Sequence, residues 1–407
     1  MHIRFLLGPA GSGKTFRCLT EVRHALSASP EGLPLLLVAP KQTTYQLERQ
    51  FLAYPSIPGY TRLHILSFER LAHFIFGQLG KPAPAMLEEE GRLMVLRGLL
   101  SKKREDLKLF RASARLTGFA HQLSLVLREL QRHELTPQSL QDLADQIQDN
   151  ENLAYKLQDL ATLLQDYLDW LQAHQVQDAD CLLPRATAAL QQQKAEDGRW
   201  KMEDGKAPSI LHPPSSILIG GLWVDGFADL SEQELSLLAA LLPHCQEATL
   251  TFCLDRIPNR KTSWLSNWSA VRQTFEDCQK RFGSLPQTEI AVEVLPRHPN
   301  KSRFLNNPVL RHLEQRWAEP KAFPETLAPG DELTPSLEQT LRLAICADPE
   351  AEVVLAAREI LRYVRAGGRY REVTVLVRKL DGYHEPFQRL FARYEIPFFL
   401  DRREPVS

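Results

Sequence analysis

The sequence predicts an α/β fold: a parallel sheet interrupted by an all-helical insertion and followed by the start of a second α/β domain. Three observations predict it. Short apolar runs alternate with helix-length amphipathic segments at both ends of the chain. A glycine-rich loop joins the first such run to the first helical segment. Between the two α/β stretches, Leu recurs at spacings of three and four amid Gln, Arg, Asp and Glu, with almost no β-rich run.

The elements follow in order. Ile3 to Leu7 is an apolar run bounded by Gly8, and Leu35 to Ala39 is another bounded by Pro40. Both read as buried parallel strands. Thr15 to Ser27 has the length of the crossover helix that joins parallel strands. Leu63 to Leu66 reads as a third strand and Phe68 to Phe76 as the helix after it. The helical insertion covers 85–207, with a helix start at Thr136-Pro137 and a connecting loop from Gly198 to Pro214. The α/β core resumes with Ile217 to Val224 and Ala248 to Leu254, joined by a helix that opens on Ser231-Glu-Gln-Glu234, a capping-box pattern. The first domain therefore comprises 1–84 and 208–256. Residues 257–340, rich in Pro, Asn and Arg, read as a helix-containing insertion and connector. The strand Leu341 to Ala347, helix Glu350 to Arg365, strand Val373 to Val377, helix Tyr383 to Tyr394 and a final Pro397 to Leu400 make 341–407 an incomplete second α/β domain.

Composition narrows the function. With 49 Lys+Arg against 50 Asp+Glu, no whole-chain field attracts phosphate or anionic lipid, so a nucleic-acid site must be local. The 6 cysteines form no CxxC pair, as expected of reduced, mostly packing thiols. Met1 to Leu7 lacks the features of a signal peptide, and no apolar stretch reaches the roughly 18 residues that span a bilayer. A soluble cytoplasmic protein without membrane contact is expected. The histidines show no HExxH, and there is no GxSxG, which argues against zinc and serine hydrolases.

Gly8-Pro9-Ala10-Gly11-Ser12-Gly13-Lys14-Thr15 fits GxxxxGK[ST] in full, between a strand and a helix. Its glycines let backbone N–H groups converge on the β-phosphate of a nucleotide, and the helix N-terminus adds its positive dipole end. Lys14 is expected to reach the β/γ oxygens of ATP and Thr15 to ligate Mg²⁺. The metal also needs a carboxylate at the end of a neighbouring strand. Asp225, in Leu222-Trp-Val-Asp225-Gly226-Phe227, is the candidate, the alternative being a solvated turn residue before Gly. Its successor is Gly226 and not the acid that commonly activates water, so slow or absent hydrolysis is expected unless Asp229, Glu232 or Glu234 substitutes.

Two loops at strand ends carry groups suited to a single strand of DNA: Gln42 and Thr44 after the second strand, Phe68 and Arg70 after the third. The competing readings are helix capping for Thr44 and Ser67 and core packing for Phe68. The basic run from Arg97 through Lys102, Lys103 and Arg104 to Lys108 and Arg115 reads as a solvated helix face, with nucleic acid or a partner subunit as the alternative.

The order of GPAGSGKT, VAPKQTTYQLE, SFERLA, VDGFADLSEQEL, TFCLD and YEIPFFLD resembles the N-terminal part of AddB-type (RexB-type) subunits of bacterial AddAB helicase–nucleases. The resemblance implies a RecA-like ATP-binding domain with a helical insertion, then the start of a second RecA-like domain. It implies pairing with an AddA-type motor subunit at double-stranded DNA ends, in double-strand-break repair, and scanning of the 3′-ended single strand for a recombination signal. It also implies DNA contacts at Gln42, Thr44, Phe68, Arg70 and Phe227, with His73 at a position held by Trp in some relatives. The nuclease carboxylate–lysine set and the cysteine cluster of an iron–sulphur centre have no counterpart here, so neither DNA cutting nor that cluster is expected of this chain. Glu350 stands where the family often has Arg. The chain is expected to be a fragment or the product of a split gene. An active DNA-stimulated motor and a nucleotide-stabilised assembly module are the alternative readings.

Overall fold

The computed structural model of the chain describes residues 1–54, 59–82, 85–116, 118–147, 149–203, 217–258, 266, 268–295, 304–317, 320–324 and 340–400. These form two units, Met1–Leu305 and Asn306–Ser407.

In the first unit, strands β1 (His2–Leu7), β2 (Leu35–Val38), β3 (Leu63–Leu66), β6 (Gly221–Val224), β7 (Glu247–Phe252) and β8 (Glu289–Val294) form one parallel sheet in the order β3-β2-β6-β7-β1-β8. This is a RecA-like α/β arrangement. β2 and β6 are apolar on both faces because helices cover both, whereas β1 and β7 turn Arg4, Thr249 and Thr251 towards the α1 side. On one face Ile3, Phe5, Leu7, Leu36, Val38, Leu222, Leu250 and Phe252 pack with helices α3 (Phe68–Gln78), α8 (Leu182–Glu203), α9 (Glu232–Leu241) and α10 (Ser269–Gly283). On the other, Leu35, Leu37 and Trp223 meet α1 (Lys14–Ala28) and α2 (Thr44–Leu52). Arg4, which faces α1 from β1, bonds the Glu21 carboxylate and Thr249 Oγ1 (2.9 Å), and Trp223 Nε1 also donates to Glu21 (3.1 Å). Burial pushes Glu21 up, but hydrogen bonds from Arg4, Arg17 and Trp223 hold its carboxyl below the usual range. Cys18, Cys245 and Cys278 are buried and burial pushes all three thiols up, as packing cysteines require.

The stretch expected as insertion and connector contributes α10 and β8 to this unit. β8 pairs with β1, Phe5 opposite Val292, and its alternation splits Ile290, Val292 and Val294 onto the core from Glu289 and Glu293 on the other side. A sheet-edge strand needs only one apolar face, which is why it carries no continuous apolar run. Most of the loop expected at 198–214 lies outside the described residues.

The helical insertion comprises α4 (Glu89–Lys103), α5 (Phe119–Arg132), α6 (Pro137–Gln146) and α7 (Glu151–Ala173) around Leu96, Leu100, Leu123, Leu127, Leu160, Leu164 and Tyr167. Thr136 caps α6, with Pro137 at its first position, as the sequence implies. Two short parallel strands, β4 (Met86–Leu87) and β5 (Gln177–Asp178), bring its two chain connections side by side. Buried Asp159 accepts the backbone N–H groups of Lys108, Leu109 and Phe110 at 2.9, 2.8 and 2.8 Å, which organises the loop between α4 and α5.

In the second unit, α11 (Pro308–Arg316), α12 (Pro349–Arg365) and α13 (His384–Arg393) are helical, and α12 packs on α13 through Val353, Ala357, Ile360, Phe387, Leu390 and Phe391. The stretches expected as strands, 341–347 and 373–377, join no ladder among the described residues, nor does the final 397–400. Their side chains lack a covering layer: Leu343 is 96% exposed, Ile345 97%, Leu376 88% and Phe399 90%. A strand is defined by its neighbours, and apolar content alone does not supply them. No described helix is long and apolar enough to cross a membrane.

Candidate functional site

β1 ends at Leu7, and the chain turns through Gly8–Gly13 into α1. Gly13 stands at the helix N-cap with φ 93° and Gly11 has φ 78°, a left-handed backbone that favours glycine. At Gly8 a Cβ would lie 2.3 Å from Ser12 Oγ. Gly8 N–H donates to Phe252 O (3.2 Å), which anchors the loop to the end of β7. No side chain caps α1 and its first turn holds no acid, so its leading N–H groups remain available to an anion. Lys14 Nζ donates to Gly8 O (2.6 Å) and Pro9 O (2.9 Å). Burial pulls its pKa below the ordinary lysine value, against the opposing influence of Cys253 and Asp225.

Asp225 follows β6, is 5% exposed, and faces this loop. Its Oδ2 accepts from Thr15 Oγ1 (2.6 Å) and its Oδ1 from Thr251 Oγ1 of β7 (2.6 Å). The turn reading gives way to a buried, doubly bonded carboxylate. Gly226, with φ 87° and Pro40 Cδ 3.2 Å from where a Cβ would lie, lets the chain bend away at once. One carboxylate, one hydroxyl and a row of uncapped N–H groups fit a hydrated Mg²⁺ that arrives with nucleotide phosphates, since that ion takes one or two protein carboxylates and keeps water. Among the described residues no group of three or more His, Cys, Asp or Glu side chains could hold a metal ion without such help.

Two of the three acids expected to substitute for a missing base are otherwise engaged. Glu234 closes the capping box on Ser231, accepting its N–H (2.8 Å) and hydroxyl (2.9 Å), and burial raises its pKa. Glu232 pairs with Arg281 (2.5 Å). Asp229 is exposed on the loop.

The loop residues separate by exposure. Gln42, Arg70 and His73 are exposed. Thr44 is 8% exposed, and its hydroxyl donates to Lys41 O (3.0 Å). Phe68 is 5% exposed, part of the core, with its ring 5.1 Å from that of half-buried Phe227. Ser67 caps α3 by accepting from Arg70 N–H. The packing and capping readings thus describe Phe68 and Ser67, while Arg70 and Gln42 present polar groups at the surface. Part of the basic run is internally paired: Lys103 with Asp106 and Asp166, Arg104 and Arg111 with Glu105, while Lys108 bonds the amide of Gln158.

Two features lie outside the sequence reading. One is Thr251, visible only as a hydroxyl in an apolar run. The other is a buried polar cluster between insertion and sheet domain. Arg92 (2% exposed) donates to Asp178 Oδ2 and Asp180 Oδ2, both at 2.8 Å, and to Gln131 Oε1 (3.0 Å). Gln233 of α9 donates to Gln131 O (2.6 Å) and Asp180 O (2.9 Å), clasping the insertion from the sheet domain.

Fold and site together define a RecA-like α/β domain with a glycine-rich loop between its first strand and helix and with a helical insertion. The family model described as "ADDB, N-terminal" matches residues 5–198 and 216–314, and the chain belongs to that family. Over its full length the chain is similar to the ATP-dependent helicase/deoxyribonuclease B subunits of Desulforudis audaxviator (33% identical), Natranaerobius thermophilus (30%) and Pelotomaculum thermopropionicum (33%). The matches cover 100% of this chain and 32%, 32% and 33% of those three proteins, so it spans about a third of the length of the curated relatives it matches.

Proposed function

We propose that this chain is the nucleotide-binding, helicase-like N-terminal part of an AddB-type protein, which engages single-stranded DNA beside an AddA-type partner in break processing. The observation that carries the reading is the pairing of Thr15 with buried Asp225 at 2.6 Å above an uncapped α1 N-terminus. The uncapped N–H groups would hold the β-phosphate of ATP, Lys14 would serve its β/γ oxygens, and Thr15 and Asp225 would hold Mg²⁺. Magnesium supplies charge neutralisation at those oxygens when bound. With Gly226 after Asp225, Glu232 in an ion pair and Glu234 in the capping box, Asp229 on its exposed loop is the one candidate acid not so engaged, and without a buried, positioned base turnover is slow or absent. Exposed Gln42, on the loop that follows β2, and Arg70, in the first turn of α3, meet the strand, Arg70 on phosphate and Gln42 on phosphate or base edges, and His73 lies one helical turn from Arg70. On this reading the chain scans a strand and is not a motor, and it works in the cytoplasm.

The test measures ATP binding and phosphate release by the chain with and without single-stranded DNA, beside Lys14→Ala. Binding that needs Lys14 without DNA-stimulated release is the expected result. DNA-stimulated turnover lost in Lys14→Ala overturns the scanning reading in favour of a motor.

A further inference from the structure

β7 is apolar towards one face of the sheet, where Ala248, Leu250 and Phe252 pack, and carries two threonines towards the other. Thr249 Oγ1 is taken by Arg4, and Thr251 Oγ1 by Asp225. Thr251 is 7% exposed and Asp225 5%, so bulk water does not compete freely for this bond. A carboxylate rotates in a broad, two-fold torsional well, and its direction is set by its hydrogen-bond partners. Asp225 has one hydroxyl on each oxygen: Thr15, from the phosphate loop itself, and Thr251, from the strand between β6 and β1. Of the two, only Thr251 sits on a rigid sheet strand outside the loop.

We infer that Thr251 is a positioning residue for the magnesium–nucleotide complex: it pins Oδ1 of Asp225 so that Oδ2 stays presented to Thr15. The inference rests on the reading of Gly8–Thr15 as a nucleotide site. Its chemistry is that of partners behind metal ligands, whose removal typically weakens metal binding by about 10–100-fold. Without Thr251 the carboxylate is free to turn, and a buried oxygen loses its donor.

The experiment titrates Mg²⁺ against binding of a fluorescent ATP analogue to the whole chain, with a parallel series in EDTA. In Thr251→Val the Mg²⁺ concentration for half-maximal effect rises about tenfold, while binding in EDTA is unchanged. Thr251→Ser restores the wild-type curve. Thr249→Val, which removes a hydroxyl from the same face without touching Asp225, leaves it unmoved. Should Thr251→Val fail to fold, Thr251→Cys, a weaker donor of similar size, shifts the curve in the same direction. An unshifted Mg²⁺ curve in Thr251→Val, or in Thr251→Cys if that variant is needed, overturns the assignment, as does an equal loss of affinity in EDTA, which would mark a purely structural role. A wild-type chain that binds no nucleotide under either condition removes the nucleotide reading itself and this inference with it. Magnesium-dependent wild-type binding that Thr251→Val leaves intact removes the inference alone.

Discussion

Replacing Arg92 with Met tests the energetics of the buried polar cluster. Arg92 is 2% exposed and serves Asp178 and Asp180, which are 1% and 9% exposed. Removing one member of a buried ion pair leaves charge without compensation and costs about 3–5 kcal/mol. At a urea slope of roughly 2 kcal/mol/M, that lowers the unfolding midpoint of the insertion by about 1.5–2.5 M. The loss depends on pH with a definite sign. Burial raises the Asp180 carboxyl, adjacent Asp178 raises it further, and Arg92 and Arg128 oppose them. Arg132 (3.8 Å) also faces it. Deleting Arg92 removes one opposing cation, so the folded-state pKa climbs further above the unfolded one. A carboxyl raised in this way binds its proton more readily when folded, so stability is gained as pH falls through the folded pKa and is lowest above it. Urea unfolding followed by circular dichroism, with hydrogen exchange in α5, should show a larger deficit at pH 8 than at pH 5. Adding Asp178→Asn and Asp180→Asn should recover much of it. A deficit below about 1 kcal/mol at pH 8, or one that does not change with pH, would refute the claim that uncompensated carboxylate charge sets the cost.

Gln233→Ala withdraws a donor from two buried carbonyls and should cost about 1–3 kcal/mol, read as faster hydrogen exchange in α5 with little change in β1 or β7. Phe68→Ala should destabilise the sheet domain by about 3–5 kcal/mol in denaturant unfolding, because its ring is core. Arg70→Ala should leave stability unchanged and weaken binding of a fluorescent oligodeoxythymidine, with a shallower salt dependence. Glu21 is held below the usual carboxylate range, so its contribution is present above that range and lost as acid takes pH down through the folded pKa. Glu21→Gln should therefore flatten the acid limb of a thermal-stability profile.

The sheet domain was legible because strands covered on both faces read as unbroken apolar runs, as at Leu35–Val38. The glycine-rich loop was legible because its backbone demands particular residues at fixed offsets: left-handed φ at Gly11 and Gly13, and at Gly8 a Cβ that would crowd the Ser12 side chain. β8 escaped notice because an edge strand shows only three apolar side chains, set in a polar stretch. Phe68 shows the limit of reading a loop by residue type, since an aromatic that suits base stacking equally suits a core, and only burial decides. The cluster at Arg92 was out of reach for a different reason: its carboxylates lie more than eighty residues along the chain from the arginine, and nothing local marks them as a set.

The parallel pairing of β4 with β5 has a consequence for how such a protein can change. Met86 lies opposite Gln177 and Leu87 opposite Asp178, so the chain leaves for helices α4–α7 and comes back at neighbouring points. Adjacent strands are spaced by about 4.8 Å, a gap that a turn of a few residues spans. Those four helices are therefore a detachable lobe on a narrow neck. They can lengthen, shrink or be exchanged while the six-stranded sheet and its glycine-rich loop keep their geometry, provided Asp178 and Asp180 still meet a cation and a residue at position 233 still finds two carbonyls to hold.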